Sequence, residues 1–250
     1  MEIRSKSSRL DELLVGRGYF ATRSRARDAI LRGTVTVDGV IATKPGQSAG
    51  EAAEISVADP ARNYVSRAAL KLVHGLDAFG FDPTGRTALD IGASTGGFTQ
   101  LLLERGAVHV IAVDVGHGQM RPELAADPRV TNLQGINARD LDASMLVGRV
   151  PDFIACDVSF ISIRLALPAA LALAARGAPA VILVKPQFEV GRQAVGKGGV
   201  ADREAAAAVA DELRQWFETQ PGWRAVGLVA SPIEGSGGNR EFLLGGVKDR

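Results

Sequence analysis

The chain has 250 residues, 46% of them hydrophobic, which is enough for a buried core in one large domain or in a small domain joined to a medium one. Its formal net charge is only +1, so attraction to a polyanionic partner has to come from locally clustered charge. No apolar run reaches the roughly 20 residues that a membrane helix needs, and the first residues carry scattered charges without an apolar signal core, so we expect a cytoplasmic protein with no membrane contact.

About the first sixty residues are locally basic and predict a small α+β unit. Leucine spacing near the start predicts one short helix; Thr22 is placed to cap a second, and Gly33 ends it. The alternating stretch TVTVDGVIATKPG then predicts a hairpin that turns at Asp38-Gly39. The predicted order of elements in this unit is therefore helix, helix, hairpin.

The segment SRARDAILRGTVTVDG in this unit resembles the alpha-L RNA-binding motif of a small-subunit ribosomal protein, pseudouridine synthases and a tyrosyl-tRNA synthetase. The resemblance implies an RNA-binding domain over residues 1–62, linker included, whose second helix and hairpin face RNA. A solvated helix face is the alternative reading of such a charge run. Phosphate contacts are assigned to Arg23, Arg25, Arg27 and Arg32.

Residues 63–250 predict a second, α/β domain, because strand-like runs alternate with helical ones as in a parallel sheet covered on both faces. The last two strands follow a long helix over residues 202–218 with no helix between them, so we expect them to pair antiparallel. Cys156 lies in an apolar strand and is expected to be buried. The predicted strands are Thr87–Ile91, Val108–Val113, Val130–Leu133, Asp152–Cys156, Ala180–Val184, Ala225–Ala230 and Glu241–Leu244.

A glycine-rich turn follows the first of these strands, in ALDIGASTGGFTQLLLERGA. Gly92, Gly96 and Gly97 allow a ligand to approach the backbone, and Asp114 ends the next strand where it can accept hydrogen bonds from ribose hydroxyls. A dinucleotide and S-adenosylmethionine both fit these features, and a structural glycine turn is the alternative to either. The glycine spacing does not match the dinucleotide pattern, whereas Asp-x-Gly-x-x-x-Gly-Gly resembles motif one of class I methyltransferases.

This resemblance implies S-adenosylmethionine as the cofactor, with Asp90 near its methionine part, Asp114 at the ribose and Asp140 near the adenine. The three histidines and the single cysteine show no ligand spacing, so no metal is expected. The cofactor-binding residues are predicted to be Asp90, Gly92, Ser94, Gly96, Gly97, Phe98, Asp114 and Asp140.

Four charged residues are predicted to meet at the carboxyl edge of the sheet, where ligands of parallel sheets gather. Asp157 and Lys185 each directly follow an apolar strand. Glu241 begins an antiparallel strand, which brings its start to the same edge, and Lys71 lies on the helix before the first strand. All four side chains can therefore converge on one cleft.

A lysine, aspartate, lysine, glutamate set of this kind resembles the tetrad of the FtsJ-like ribose 2′-O-methyltransferases, and with the front domain the chain resembles the TlyA family from about residue 8 to residue 245. The resemblance implies a class I methyltransferase fold with a mostly parallel seven-stranded sheet, and S-adenosylmethionine-dependent 2′-O-methylation of cytidine in ribosomal RNA. Ribosomal RNA or ribosomal subunits are then the partners of a monomer or weak dimer. The motifs that carry it are VSRAALKL, DIGASTGGFT, CDVSFIS, LVKPQFE, GKGGV and EGSGGNREF.

The reaction explains why lysines are placed at a catalytic edge. A ribose hydroxyl is a poor nucleophile near pH 7 and must lose its proton as the new bond forms. Partial burial and a neighbouring ammonium would lower the pKa of a lysine, so we expect Lys185 to act as the base or to orient the hydroxyl, and Lys71 to position the substrate. Asp157 and Glu241 would orient the two lysines.

Three other functions compete with this one. An amine methyltransferase carries an Asn/Asp-Pro-Pro-aromatic loop, but the corresponding residues here read DVSF and lack both prolines. Phe160 in that loop can stack on a base or pack in the core. A non-catalytic RNA-binding protein would lack the four charged residues, and a pseudouridine synthase would need no nucleoside cofactor.

Overall fold

The computed structural model describes residues 7–189 and 203–249, so the GKGGV motif at 196–200 lies outside the described residues. The chain forms two compact units, one up to Asn63 and one from Tyr64 onward. No helix within the two described ranges is both long and apolar enough to cross a membrane.

In the part that the structure describes, residues 7–63, the first unit contains two helices and five short strands. The central strand of a three-stranded antiparallel sheet is β2, flanked by β3 and β5, while β1 pairs with β4. Buried leucine, alanine and isoleucine side chains from both helices form its core. The elements are β1 (Ser7–Arg9), α1 (Leu10–Gly16), α2 (Arg23–Leu31), β2 (Val35–Val37), β3 (Val40–Ile41), β4 (Ser48–Gly50) and β5 (Ile55–Val57).

Local sequence signals explain how α2 and the hairpin begin and turn. The Thr22 side chain accepts a hydrogen bond from the Arg25 backbone N–H and caps α2, as predicted. Val37 pairs with Val40, so the hairpin loop has two residues, Asp38 and Gly39, and both have positive φ. This is the primed turn that an Asp-Gly pair favours, and the predicted hairpin is confirmed.

The second unit is a seven-stranded sheet in the order β11-β12-β10-β9-β6-β7-β8, in which all neighbours are parallel except the two pairs made by β12. The predicted α/β class and the antiparallel last pair are therefore confirmed. Its elements are α3 (Ala68–Phe79), β6 (Thr87–Ile91), α4 (Gly97–Glu104), β7 (His109–Asp114), α5 (Pro122–Ala125), β8 (Val130–Gln134), β9 (Phe153–Cys156), α6 (Ile163–Ala166), α7 (Pro168–Leu173), β10 (Pro179–Val184), α8 (Arg203–Glu218), β11 (Trp223–Ala230) and β12 (Phe242–Lys248).

Both faces of the central strands are buried. Ala88 packs into the cluster on one face of the sheet, and Leu89 packs into the cluster on the other. Two-sided burial explains why these strands are apolar at every position and not only at alternate ones. Cys156 is fully buried as expected, and burial raises the pKa of its thiol to about 12.

The last strand is longer than predicted because two glycines continue it. Gly245 and Gly246 pair with β10 and β11 along the strand. A Cβ at Gly245 would lie 2.6 Å from the Phe79 ring, and one at Gly246 would lie 2.2 Å from the Phe217 ring. These glycines therefore make room for aromatic rings, although adjacent glycines in a sequence usually indicate a turn.

Candidate active site

A cavity of about 520 Å³ opens at the carboxyl edge of the sheet in the second unit. Its lining comes from the segments that follow β6, β7, β8 and β9. Four neighbouring parallel strands thus contribute to one site, as expected where ligands bind in open α/β sheets. Among the lining residues are Gly92, Ser94, Asp114, Gln119, Asn137, Asp157 and Phe160.

The glycine turn after β6 brings two strand ends unusually close together. Gly92 has φ +83°, and a Cβ there would lie 2.7 Å from the backbone oxygen of Asp157. Gly96, at φ +96°, precedes α4. Only glycine tolerates both the left-handed backbone and the close approach at position 92, so the loop leaves backbone surface open to a ligand.

The Asp114 carboxylate lines the cavity and accepts hydrogen bonds from two backbone N–H groups. Its Oδ2 accepts a hydrogen bond from the Ser94 backbone N–H at 2.8 Å, and its Oδ1 accepts one from the Gly116 backbone N–H at 2.7 Å. A carboxylate has about four lone-pair sites, so it can still accept bonds from two hydroxyls. The geometry fits the ribose contact predicted for this residue.

Asp90 is fully buried behind the cavity and is only half satisfied. Its Oδ2 accepts a hydrogen bond from Thr99 Oγ at 2.6 Å, while Oδ1 has no hydrogen-bond partner in the described part of the chain. Burial raises the pKa of this carboxyl to about 7, against the lowering effect of the Thr99 hydrogen bond, and the nearby Asp157 charge raises it further. An unpartnered carboxyl oxygen of this kind suits a cationic ligand group.

Five of the eight predicted cofactor residues do not line the cavity: Asp90, Gly96, Gly97, Phe98 and Asp140. Phe98 is 2% exposed and packs in the hydrophobic core beside α4 residues such as Leu101, while Asp140 is exposed in a short 3-10 turn. Asn137, three residues earlier, lines the cavity and caps that same turn. Sequence reasoning overlooked Asn137, although an asparagine soon after a strand is a usual loop signal.

The four charged residues form two ion pairs at this edge. Lys71 donates a short hydrogen bond to Glu241, and both side chains are buried. Lys185 Nζ lies 2.6 Å from Asp157 Oδ1, in an ion pair whose angles do not meet those of a hydrogen bond. The same Nζ donates a hydrogen bond to Ser159 Oγ at 2.7 Å. Each lysine therefore has its own carboxylate, Glu241 for Lys71 and Asp157 for Lys185.

Strand register brings these two pairs together. Val184 pairs with Phe242, so the residue after β10, Lys185, lies opposite the residue before β12, Glu241. Ile182 pairs with Cys156 in the parallel direction, which places Asp157 alongside the end of β10. The predicted convergence of the tetrad residues follows from this register. Two positive and two negative charges also balance one another, as buried charges require.

The predicted RNA-binding arginines in the first unit differ in how much of their charge is free. Arg32 is mostly buried and is paired with Asp28 and Asp59, an arrangement that holds the fold together. Arg27 is exposed and makes no ion pair with a described residue. Arg23 pairs with Asp11 and Glu12, and Arg25 donates to the backbone oxygens of Ala61 and Arg62.

Comparisons with protein families agree with the division of the chain into two units. Residues 64–248 match the model of the FtsJ-like methyltransferases, and residues 8–55 match that of the S4 domain. The chain is 45% identical, over 96% of its length and 90% of the relative's, to a Mycobacterium tuberculosis protein named 16S/23S rRNA (cytidine-2′-O)-methyltransferase TlyA. It is 39% identical, over 94% of its length and 98% of the relative's, to a Brachyspira hyodysenteriae protein named Hemolysin A.

A solved structure from Streptococcus thermophilus resembles the whole chain. Its name also includes the word hemolysin, and it is 36% identical to this chain with a TM-score of 0.74. The similarity covers 98% of this chain and 89% of that one. Sequence and structure comparisons therefore both extend across the two units.

Proposed function

Because the chain belongs to the FtsJ-like methyltransferase family, we propose that it transfers a methyl group from S-adenosylmethionine to the 2′-hydroxyl of a cytidine ribose in ribosomal RNA. The observation that carries the proposal is the pair of lysine–carboxylate contacts beside the cavity, Lys71 with Glu241 and Lys185 with Asp157. Relatives named for this activity, 45% identical to the chain, support the choice of substrate.

The residues behind and around the cavity suit S-adenosylmethionine. When bound, this cofactor supplies an electrophilic methyl group on a sulfonium. We assign the free Oδ1 of Asp90 to its ammonium end and Asp114 to its ribose hydroxyls. Gly92 leaves room for the ligand because it has no side chain. We assign Ser94, Gly96 and Gly97 to the loop that shapes this site, whereas the burial of Phe98 gives that residue a supporting position beneath it.

Lys185 is the residue that we assign to the target hydroxyl. Its ammonium group is held between Asp157 and Ser159, so its position is fixed before any substrate arrives. We propose that the ammonium form of Lys185 orients the 2′-oxygen, with Asp157 balancing its charge. Only the neutral amine form can act as the base: its nitrogen lone pair would take up the hydroxyl proton while the 2′-oxygen bonds to the methyl carbon and the thioether leaves. Lys71, fixed by Glu241, would hold the substrate from the other side.

RNA binding by the S4 unit completes the proposal. Arg23, Arg25 and Arg27 have exposed or partly exposed side chains that we assign to phosphate contacts, while Arg32 supports the fold through its two carboxylate partners. The partners would be ribosomal RNA or ribosomal subunits, in the cytoplasm where ribosomes are found. For the adenine we propose the Asn137 segment, with Asp140 as a solvent-facing neighbour.

The experiment is label transfer from radioactive S-adenosylmethionine to ribosomal subunits, followed by nucleoside analysis. The wild-type protein should produce 2′-O-methylcytidine. Lys185→Ala should lower the rate by about 10²–10⁴-fold, the usual effect of losing a positioned proton-transfer group, while calorimetry shows unchanged cofactor binding.

Lys185→Arg is the matched variant, because arginine keeps the charge but cannot give up its proton. It should also be inactive if Lys185 takes the proton, and should retain activity if Lys185 only orients the hydroxyl. A base-methylated nucleoside as the product, or full activity in Lys185→Ala, would contradict the proposal.

A further inference from the structure

We infer that Glu189 is a positioning residue that anchors the loop between β9 and α6, and through it sets Ser159 and Phe160 for the target nucleotide. This inference rests on the proposed function, since it concerns how the same site holds its RNA. Glu189 belongs to the LVKPQFE motif but is not one of the four charged residues of the tetrad. The loop spans residues 157–162, which are the CDVSFIS motif after its first residue, Cys156 of β9.

Both oxygens of the Glu189 carboxylate are used at the far end of this loop. Ser162 Oγ donates to Glu189 Oε2 at 2.6 Å, and the Ile163 backbone N–H donates to Oε1 at 2.8 Å. Ser162 Oγ also accepts a hydrogen bond from the Arg164 backbone N–H at 3.1 Å. Glu189 therefore determines where α6 begins, which a serine cap alone would fix with a single contact.

Asp157 fixes the near end of the same loop. Its backbone N–H donates to the Ile91 oxygen at 2.9 Å, and its side chain pairs with Lys185. Only five residues, 158–162, separate Asp157 from α6, so the two anchors together restrict the path between them. Loss of the far anchor would leave that path held at one end only.

Phe160 needs both anchors because its conformation is unfavourable. It has φ +64°, in the left-handed region, where a bulky side chain is a rare outlier. The residue is 89% exposed and lines the cavity, and the centroid of its ring lies 4.9 Å from that of the Phe188 ring. A strained, solvent-facing aromatic beside a catalytic lysine is the arrangement expected of a residue that stacks on a base.

Besides the Lys185–Asp157 ion pair, three contacts in sequence order join this loop to the segment after β10. Lys185 contacts Ser159, Phe188 contacts Phe160, and Glu189 contacts Ser162. We place Glu189 neither on the reacting hydroxyl nor on the base. Changing it should therefore disturb the position of the nucleotide without removing a group that touches it.

The test compares Glu189→Ala and Glu189→Gln with Glu212→Ala, using KM and kcat for ribosomal RNA, calorimetric cofactor affinity and thermal melting. Glu189→Ala should raise the KM for RNA about ten-fold or more, because small misplacements near a reacting group are costly, and should leave cofactor affinity within about two-fold. Glu189→Gln keeps an acceptor for the Ile163 N–H and a polar partner for Ser162, so it should restore most of the activity.

Glu212 is the matched control, because it is an exposed acid on α8 that pairs with Arg164 of α6, the helix whose start Glu189 contacts, at 3.9 Å. Its alanine variant should behave as wild type. An unchanged KM and kcat in Glu189→Ala would overturn the inference, as would a Glu189→Gln variant as impaired as the alanine one. If Glu189→Ala does not fold, Ser162→Ala is the substitute, because it removes one of the two hydrogen bonds that Glu189 accepts. A rise in the KM for RNA that is smaller than the one expected for Glu189→Ala would support the inference, and an unchanged KM would overturn it.

The order of measurements separates this inference from the proposed function. A wild-type protein that makes no 2′-O-methylated product contradicts the proposed function before any variant is compared. A wild-type protein that makes it, together with an indifferent Glu189→Ala, contradicts only the role of Glu189.

Discussion

Asp90→Asn should remove a pH-dependent loss of stability from the second unit. Asp90 is fully buried, and its pKa rises from 3.8 in the unfolded chain to about 7 in the folded one, chiefly because burial disfavours the charged form. The unfolded chain therefore releases this proton at lower pH than the folded protein does. The stability contribution is complete below the unfolded pKa and is lost as pH rises through the folded pKa.

The size of the loss follows from the two pKa values. Each unit of difference corresponds to about 1.4 kcal/mol, so ionisation of Asp90 costs about 4 kcal/mol in total, of which about 3 kcal/mol falls between pH 5 and pH 8. Asparagine resembles the protonated carboxyl in shape and can still accept the Thr99 hydrogen bond. The variant should therefore lack this part of the pH dependence.

The assay is urea unfolding followed by tryptophan fluorescence at several pH values. Both tryptophans, Trp216 and Trp223, belong to the second unit, so the signal reports that unit and not the S4 unit. Carboxylates elsewhere act equally in both proteins, so the difference in unfolding free energy between variant and wild type isolates Asp90. It should shift in favour of the variant by about 3 kcal/mol from pH 5 to pH 8. A difference that does not change with pH would refute the reasoning.

Two further predictions separate function from stability. Phe160→Gly should change the unfolding free energy by less than about 1 kcal/mol, because relief of the strained left-handed backbone offsets the lost ring contact with Phe188. It should nevertheless raise the KM for RNA about ten-fold or more, because the base loses its stacking partner. An unchanged KM would contradict the stacking role. Lys248 donates to the Leu171, Ala172 and Ala174 backbone oxygens at 3.0, 3.0 and 2.8 Å, at the end of α7. Lys248→Met should therefore lower the unfolding free energy of the second unit by about 2 kcal/mol relative to the wild type, measured by urea unfolding, and an unchanged midpoint would count against it.

Strong local patterns allowed most of the fold to be predicted. The strand Thr87–Ile91 has the bounds that the sequence indicated, because its apolar run begins and ends sharply. In the hairpin, Asp38-Gly39 specifies one turn geometry. By contrast, the pairing of β1 with β4 joins three-residue strands some forty residues apart, and segments that short carry no readable period.

Side-chain partners in the site could be predicted only in part. The edge where Lys185 and Asp157 meet follows from strand direction, which the alternating pattern reveals. Which acid pairs with which lysine depends on register and on the position of α3, and neither leaves a sequence signal. Phe98 directly follows the glycines of the turn, but as the second residue of α4 it packs in the hydrophobic core, which the motif alone does not reveal.

The charge around the cavity favours a cationic ligand. Lys71 and Lys185 are each balanced by a carboxylate, Glu241 and Asp157, so neither of those acids is left over. Asp90 has no such cation among the described residues; its free Oδ1 is buried and the nearby Asp157 charge acts against its ionisation. A positively charged group near Oδ1 would reverse that balance and favour the ionised form. Binding of a cationic ligand should therefore release a proton from Asp90 at pH values below about 7, which calorimetry in buffers of different ionisation enthalpy can measure, and Asp90→Asn should abolish the release.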